Sequence, residues 1–230
     1  MSLPAAVLWD MDGTIVDTEP YWIAAEHDIV EEHGGQWSDE FAHQLVGNDL
    51  IVSAEFIRDN SPITWDPLRI VDELLLRVIS RVREHVPWRP GALELLQALR
   101  DEGVPNALVT MSWRSLADAV LVALPEGTFQ AVVTGDEVEH GKPHPEPYHA
   151  AARALGVAPR DCLAIEDSPT GVRSAVAAGV PTIAVPHVVQ VPEMAGAVHL
   201  DTLSGVTPSR LAELAALARA GSVVGGDSGT

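Results

Sequence analysis

The stretch AVLWDMDGTIVDTE, residues 6–19, places four carboxylates directly behind an apolar run. The letters AVLW predict a buried β-strand, and Asp10, Asp12, Asp17 and Glu19 follow it. Like charges this close raise one another's energy unless a cation or a proton lies between them. The stretch therefore indicates either a metal site or a solvated acidic loop, and the rest of the chain has to decide between the two.

The composition indicates a globular chain without a membrane span or a disulfide. Hydrophobic residues make up 47% of the 230 residues, enough for one large domain or for a core with a smaller domain. Proline or charge interrupts the longest apolar stretches well before membrane-spanning length. No basic segment precedes the first strand, and Cys162 is the single cysteine. We therefore expect a cytoplasmic protein whose one thiol is reduced and buried in a strand.

The charge balance argues against two classes of partner. The formal net charge is −19, from 14 basic and 33 acidic residues, which opposes binding to nucleic acid or to an anionic membrane. An anionic small molecule would need strong local positive potential. All but one of the basic residues are arginine, so Lys142, the only lysine of the chain, stands out before any motif is considered. Lysine offers a compact point charge with three donors.

Helix, glycine, short loop and apolar strand recur in this order along most of the chain. Gly103, Gly156 and Gly179 stand where helices end in a left-handed residue, and a proline soon follows each of them. Strands are expected near 5–9, 106–110, 130–133, 162–165 and 182–185. Apolar strands that alternate with amphipathic helices predict an α/β fold, a Rossmann-like doubly wound parallel sheet with helices on both faces.

Residues 18–88 break this pattern. Four segments in this range have helical periodicity, with no convincing strand between them. We therefore expect a helical-bundle cap at 18–88, inserted into an α/β core formed by 1–17 and 89–221. Residues 222–230 are expected to be a disordered tail.

Polar side chains follow several of the expected strands at the point where each strand ends. Asp10 follows AAVLW, Thr110 follows NALV, and Glu166 and Asp167 end CLAIED. Lys142 lies in the loop GDEVEHGKPHPEPY after a further strand. Because open α/β sheets bind ligands at the carboxyl edge of their strands, we expect these side chains to meet there. A solvated-loop explanation would need the same coincidence in four connections.

These segments together resemble the motifs of the haloacid dehalogenase superfamily. The letters DMDGTIVD are similar to the family's DxDGTxxD signature, and LVT, GKPHPEPY and IEDSPTGVRSAVAAG are similar to its second, third and fourth motifs, in the family's order. The resemblance covers roughly residues 5–17 and 90–205. The place of the helical insert is similar to the subgroup whose cap follows the first motif, which includes β-phosphoglucomutases and many small-metabolite phosphatases.

The resemblance implies a Mg²⁺-dependent phosphatase that works through an aspartyl phosphate. It implies that Asp10 is the nucleophile and that Asp12 is the general acid and base. It also implies a Mg²⁺ ion, which prefers oxygen ligands, held by Asp10, the main-chain carbonyl of Asp12, Glu166 and Asp167. Such an ion would answer the opening question, since it would offset the repulsion between the carboxylates.

The remaining implied contacts concern the substrate, a small phosphorylated metabolite. Thr110 and Lys142 would hold the non-bridging phosphoryl oxygens. Four residues placed at the seam between cap and core are candidates to face the leaving group: Glu19, Trp22, Asn48 and Trp113. Glutamate and asparagine pair well with sugar hydroxyls and indole faces pack against sugar rings, so the substrate is expected to be sugar-like.

Several neighbouring polar residues have two possible roles. Ser112 would either contact the phosphoryl group or cap the following helix. Asp17 is expected to cap the turn rather than to act in catalysis. His140, His144 and His149 lie near Lys142, but no metal-ligand spacing emerges from them.

A β-phosphoglucomutase-type phosphosugar mutase is the alternative interpretation of the same motifs. In those mutases an arginine of the cap loop grips the second phosphate, whereas LVGNDLIV has no arginine in the comparable place. Residues 18–88 carry five Arg against 14 Asp and Glu, which favours hydrolysis of an ester with an uncharged leaving group. A protein that only binds phosphate would need neither the nucleophile nor the general acid. We expect the enzyme to be a monomer or a weak dimer.

Overall fold

A computed structural model describes residues 2–45 and 48–221 of the chain, so the predicted tail at 222–230 lies outside the described residues. The strands are β1 (Ala6–Trp9), β2 (Asn106–Val109), β3 (Ala131–Val133), β4 (Cys162–Glu166), β5 (Thr182–Ala184) and β6 (Ala197–His199). The helices are α1 (Glu19–Glu32), α2 (Asp39–Leu45), α3 (Leu50–Asp59), α4 (Pro67–Glu84), α5 (Ala92–Asp101), α6 (Arg114–Leu121), α7 (Glu146–Ala154), α8 (Pro169–Ala177) and α9 (Pro208–Arg219).

The sheet is parallel throughout, with the strand order β3-β2-β1-β4-β5-β6. The predicted doubly wound α/β core is confirmed. The order runs outwards in one direction from β1 and in the other from β4, so these two central strands mark the point at which the winding reverses. Open α/β sheets bind ligands at this point, beyond the carboxyl ends of the strands. In register, Trp9 lies between Leu108 of β2 and Ile165 of β4.

Both faces of the sheet are covered, as the continuous apolar strands predict. Ala6 and Leu8 point to one face, where they pack with Tyr148 of α7. Val7 and Trp9 point to the other face and belong to a larger apolar cluster that also contains side chains of α5 and α9. The alternation of side chains along a strand explains this division. Sandwiched in this way, β1 holds the start of the acidic turn on a rigid support.

Helices α1 to α4 form the predicted helical cap, inserted between β1 and the rest of the core. Helix α4 has the clearest amphipathic pattern, and Asp66 caps it by accepting the N–H of Leu68. Its apolar face packs against α1 and α3 of the cap and against α6 of the core. The same apolar cluster therefore continues from core to cap. The boundaries at 18–88 enclose all four helices and stay a prediction.

A tight turn after β1 brings the first acidic segment back toward the sheet. The main-chain oxygen of Met11 accepts the N–H groups of Ile15 and Val16. Gly13 has a φ of 85°, a left-handed conformation that favours glycine. A Cβ atom at Gly13 would also overlap the Asp167 carboxylate. The absence of a side chain at Gly13 thus lets the turn approach the end of β4.

Strand β6 is the main difference from the predicted fold. The sequence predicts no strand after 182–185, whereas Ala197–His199 forms a strand that pairs with β5, with Ala197 beside Thr182. Three residues are too few to show a periodicity, and this strand forms because the edge of β5 offers unpaired backbone groups. Among the residues described, no helix combines the length and the apolar character needed to cross a membrane.

Candidate active site

The carboxyl ends of β1, β2 and β4 meet at one edge of the sheet. Asp10 follows β1, Thr110 follows β2, and Glu166 is the last residue of β4. Because β1 lies between β2 and β4, residues far apart in the sequence come together at this edge. Lys142 joins them from the loop between β3 and α7. The edge opens into a cavity of about 370 Å³ that is lined by both core and cap residues, a size typical of small-molecule sites.

Lys142 is the cationic centre of the site. Its Nζ donates to Oδ1 of Asp10 at 2.7 Å, to Oε1 of Glu166 at 2.6 Å and to the main-chain oxygen of Val109 at 2.8 Å. These contacts use all three ammonium donors. Burial acts to lower the pKa of Lys142, but the two carboxylates outweigh it and raise that pKa above its usual range. The single lysine of the chain is therefore a buried charge that neutralises part of the acidic cluster.

Glu166 is fully buried behind Lys142. Its Oε1 also accepts from the hydroxyl of Tyr148 at 2.7 Å, and its Oε2 accepts from the hydroxyl of Ser168 at 3.3 Å. Protein groups thus already engage both oxygens of the carboxylate. The sequence analysis missed Tyr148, although the signal was present. Tyr148 is the sixth residue after Lys142 in KPHPEPY. It lies in the first turn of α7, which packs against the sheet.

Three hydroxyl groups hold the side chain of Asp12. Thr110 donates to its Oδ2 at 3.2 Å and Ser112 donates to the same oxygen at 2.8 Å, while Thr18 donates to Oδ1. Ser112 therefore does not cap α6, whose N-cap position is taken by Trp113 without a side-chain hydrogen bond. The carboxyl group of Asp12 is therefore held in one orientation by two hydroxyls that follow β2 and by one at the cap junction.

The residues present fit the divalent ion that the sequence resemblance implies. Oδ2 of Asp10 is buried and has no hydrogen-bond partner among the described residues. One oxygen from each of Asp10, Glu166 and Asp167 lies within 4.8 Å of the others. Burial raises the pKa of Asp10 to about 7 although Lys142 opposes the shift, and burial together with Asp10 and Glu166 raises the pKa of Asp167. Crowded carboxylates with an orphaned buried oxygen suit a hard cation such as Mg²⁺.

Cap residues line the end of the cavity away from the sheet. Three of the four candidates for contact with the leaving group are there, namely Glu19, Trp22 and Asn48, and Ser112 lines the cavity from the core. The structure does not bring Trp113 to the cavity. Its side chain packs instead on the apolar cluster shared by core and cap, because the start of α6 lies against α4.

Two polar cap residues that were not predicted from the sequence also line the cavity, Glu26 of α1 and Ser53 of α3. Glu26 is 5% exposed, and the indole N–H of Trp37 donates to its Oε2 at 3.1 Å. Burial raises the pKa of Glu26 to about 8, and that of Glu19 to about 7. A signal existed for Glu26, since it stands four residues after Trp22 and so lies on the same helix face.

The loop after β5 closes another side of the cavity. His187 lines it, and its Nε2 lies 3.0 Å from Oδ1 of Asp17. The expectation that Asp17 caps the turn finds no support, because its carboxylate faces this histidine from a different segment. Local sequence could not show this contact, because the two residues are 170 positions apart in the chain and only the fold brings them together.

Two of the three histidines near Lys142, His140 and His144, form a separate surface cluster with Glu146. Nδ1 of His140, Nδ1 of His144 and a carboxylate oxygen of Glu146 lie within 4.8 Å of one another, which the sequence spacing did not predict. Glu146 accepts the main-chain N–H groups of Glu139 and His140. This carboxylate therefore holds the loop that presents Lys142, and none of the three side chains lines the cavity.

The raised pKa of Glu26 predicts a pH dependence of stability. Its pKa is 4.5 in an unfolded chain and about 8 in the folded protein, so the folded state holds an extra proton between these values. The free energy of unfolding should therefore fall as the pH rises from 4.5 to 8. Between pH 5 and pH 8 the wild type should lose about 2–4 kcal/mol more stability than Glu26→Gln. Urea unfolding of both proteins measures this difference, and equal slopes would contradict the raised pKa.

The chain resembles known phosphatases along most of its length. The haloacid dehalogenase-like hydrolase family matches residues 7–185. Hexitol phosphatase B of Escherichia coli (strain K12) is 32% identical over 195 residues, which cover 81% of this chain and 86% of that protein. Phosphorylated carbohydrates phosphatase of Thermotoga maritima is 31% identical over 189 residues, covering 77% of this chain and 83% of that protein.

A solved structure shares the fold. The crystal structure of CbbY from Rhodobacter sphaeroides in complex with xylulose-(1,5)bisphosphate superimposes with a TM-score of 0.80 and 27% sequence identity, and the match covers 88% of this chain and 96% of that chain. The likeness extends over both the sheet and the helical cap, so the insertion of a cap after β1 is common to both proteins.

Proposed function

We propose that this chain, which belongs to the haloacid dehalogenase-like hydrolases and is a phosphatase of that family, is Mg²⁺-dependent. Its substrate is a small, uncharged, sugar-like phosphomonoester, and hydrolysis passes through an aspartyl phosphate on Asp10. The observation that carries the proposal is the state of Asp10, which lines the cavity with one buried oxygen unpartnered among the described residues and the other held by Lys142. The names of the relatives, phosphatases of hexitols and phosphorylated carbohydrates, support a sugar-like substrate.

Asp10 performs the first displacement. One of its carboxylate oxygens attacks phosphorus, the bond from phosphorus to the ester oxygen breaks, and the phosphoryl group remains on Asp10. Lys142 keeps this carboxylate oriented and opposes the rise in its pKa that burial causes. When bound, Mg²⁺ would supply positive charge to the phosphoryl oxygens, and Asp10, the main-chain oxygen of Asp12 and Asp167 would hold it, with Glu166 behind them.

Asp12 moves a proton in both steps. Its protonated carboxyl group first gives the proton to the leaving ester oxygen, so that a neutral alcohol departs. Its carboxylate then takes a proton from the water that attacks phosphorus, the bond between phosphorus and Asp10 breaks, and inorganic phosphate leaves. The hydroxyls of Thr18, Thr110 and Ser112 hold Asp12 in place for both transfers.

The charge at the cap end of the cavity favours a phosphatase over a mutase. A phosphosugar mutase has to hold a second phosphate there, which requires positive charge. The cap side chains that line the cavity, among those described, include the carboxyl groups of Glu19 and Glu26 and neither lysine nor arginine. Arg173 lines the cavity from the core helix α8, where it is exposed. An uncharged leaving group therefore suits this end best.

Removal of divalent cations should abolish the activity. After treatment with a chelator and dialysis, phosphate release from a phosphorylated sugar or polyol should fall by at least about 100-fold, because the clustered carboxylates then face the anionic phosphoryl group with Lys142 but without a divalent cation. Added Mg²⁺ should restore it. Coupled detection of inorganic phosphate measures both results, and turnover that survives complete chelation would contradict the metal requirement.

A product analysis separates the phosphatase from the mutase. With β-glucose 1-phosphate and a catalytic amount of the bisphosphate, the phosphatase should release inorganic phosphate faster than it forms glucose 6-phosphate. The opposite ratio would favour the mutase. A panel of phosphorylated sugars, polyols and nucleotides then narrows the natural substrate.

A further inference from the structure

The cap end of the cavity contains a buried carboxyl group that the phosphoryl chemistry does not use. Glu26 projects from α1, whereas the reacting groups come from the sheet edge. Its side chain lines the same cavity as Asp10 and Asp12. The group is therefore placed to touch the leaving-group part of a substrate whose phosphoryl group lies at Asp10.

One carboxylate oxygen of Glu26 is held by a hydrogen bond, and the other has no hydrogen-bond partner among the described residues. The indole N–H of Trp37 donates to Oε2 at 3.1 Å in a buried contact. Oε1 has no hydrogen-bond partner among the described residues and is not a fully buried atom, so it is accessible from the cavity. A ligand in the cavity can therefore reach this oxygen, whereas a leucine at the same position would offer no polar contact.

The chemistry of Glu26 selects the kind of ligand group. At neutral pH its pKa of about 8 keeps the carboxyl group protonated, so it offers an O–H donor and a carbonyl acceptor. An alcohol hydroxyl can use both. Ser53, buried on α3, lines the same cavity and adds a second hydroxyl group to this end.

The surroundings of Glu26 discriminate against anionic leaving groups. Glu19 lines the cavity nearby and raises the pKa of Glu26 through its negative charge. No basic side chain faces this end from the described cap helices. A carboxylate or a second phosphate would find no positive charge on the described cap helices to offset its own charge. Hydroxyl groups of a leaving group would instead find hydrogen-bond donors and acceptors in the side chains of Glu26 and Ser53.

We propose that Glu26 is the specificity-determining residue of this phosphatase: its carboxyl group, held by Trp37, binds a hydroxyl of a polyhydroxylated, uncharged leaving group. The inference rests on the proposed function and adds to it the residue that recognises the hydroxyl groups of the sugar-like leaving group. Binding at this point orients the ester for attack by Asp10, because a substrate fixed at both ends loses its freedom before the reaction.

Three phosphomonoesters test the proposal in the full-length protein with Mg²⁺. A hexitol 6-phosphate carries hydroxyls on its leaving group, phenyl phosphate carries none, and phosphoglycolate carries a carboxylate. We expect kcat/KM of the wild type to be highest for the hexitol phosphate. The variant Glu26→Leu should lower this value by about 10- to 100-fold, since one hydroxyl contact and its partner are lost. It should change kcat/KM for phenyl phosphate by less than about 3-fold.

Matched variants control the interpretation. Glu26→Gln keeps an acceptor for Trp37 and a donor for the ligand, so it should retain the preference for the hexitol phosphate within about 5-fold. Glu31→Leu makes the same exchange as Glu26→Leu on the exposed face of α1 and should alter none of the three esters. Ser53→Ala, a smaller change that preserves the fold, should lower only the hexitol phosphate value. Thermal unfolding of each variant confirms that it is folded.

The outcomes separate the two proposals. Equal losses for the hexitol phosphate and phenyl phosphate in Glu26→Leu and in Ser53→Ala would overturn the role of Glu26 while leaving the phosphatase intact. A wild type that prefers phenyl phosphate or phosphoglycolate would overturn it as well. Absence of phosphate release from all three esters with Mg²⁺ would overturn the proposed function, and the specificity proposal with it.

Discussion

Replacing Asp10 with asparagine should lower kcat for phosphate release by about 10⁴-fold or more, because an amide cannot attack phosphorus and no other carboxylate occupies its position. The variant should remain folded. Asparagine has nearly the same shape, and its amide oxygen can still accept the hydrogen bond that Lys142 donates to Oδ1 of Asp10 at 2.7 Å. It also removes a buried charge whose pKa burial raises to about 7. Steady-state phosphate release and thermal unfolding measure the two effects.

The matched control is Asp161→Asn. This aspartate directly precedes β4 at the opposite end of the strand and is exposed, so the same chemical change should leave kcat within about 2-fold of the wild type. Trapping the phosphorylated protein with a denaturant after mixing with substrate gives a second readout. Phosphate should be bound to the wild type and not to Asp10→Asn. Full turnover in Asp10→Asn would end the proposal of a covalent intermediate at this residue.

Replacing Lys142 with methionine should damage both stability and activity. The variant leaves the carboxylates of Asp10 and Glu166 buried without their cation, and breaking a buried ion pair on one side costs about 3–5 kcal/mol. The free energy of unfolding should fall by about this amount at pH 7. Phosphate release should fall by about 10²- to 10³-fold, since removal of a single group that stabilises the charge of a reacting centre costs that much. Urea unfolding and steady-state kinetics measure the two losses.

A double variant distinguishes a charge effect from a packing effect. Lys142→Met combined with Glu166→Gln removes one of the stranded charges, so it should recover part of the lost stability without recovering activity. Arg153→Met removes a positive charge from the exposed side of α7 and should leave both quantities nearly unchanged. A stability loss in Lys142→Met that the second substitution does not reduce would show that packing, rather than buried charge, explains the effect.

The distribution of charge explains how so acidic a protein handles an anionic substrate. The net charge is −19, and long-range attraction therefore works against an incoming phosphate ester. The positive potential is instead local and buried. Lys142 supplies one part of it at the end of the sheet, where its three donors are already used. In the proposed mechanism a divalent cation would supply the rest, held by the carboxylates that face Lys142.

The elements of the fold with a strong local signal were predicted well. Gly103, Gly156 and Gly179 have positive φ angles, as the expected helix ends require. Cys162 is buried at the start of β4, as expected for the single thiol. These features depend on backbone conformations that a few neighbouring residues decide. Strand β6 escaped prediction because three residues carry no period and its pairing partner is distant in the sequence.

The residues of the candidate site also fall into those that a local sequence signal predicts and those that depend on distant contacts. The positions of Asp10, Thr110, Lys142 and Asp167 could be predicted because each follows an apolar strand or lies in a motif. Tyr148 and Glu26 could not be assigned a role, since their significance depends on what lies opposite them across α7 and α1. For Trp113, the predicted place at the seam between cap and core suggested a contact with the leaving group, whereas its side chain packs on the apolar cluster.

The sequence by itself determined the parallel α/β core, the helical insert and the acidic groups at the strand ends, because hydrophobic periodicity and turn residues act over a few neighbouring positions. The tertiary structure alone decided the partners of each group. It set Lys142 between Asp10 and Glu166, it turned Asp17 toward His187, and it buried Glu26 against Trp37 at the cavity. Such contacts arise when distant segments pack together, and burial then sets the charge and the hydrogen bonding of the side chains. No pattern of neighbouring residues contains this information.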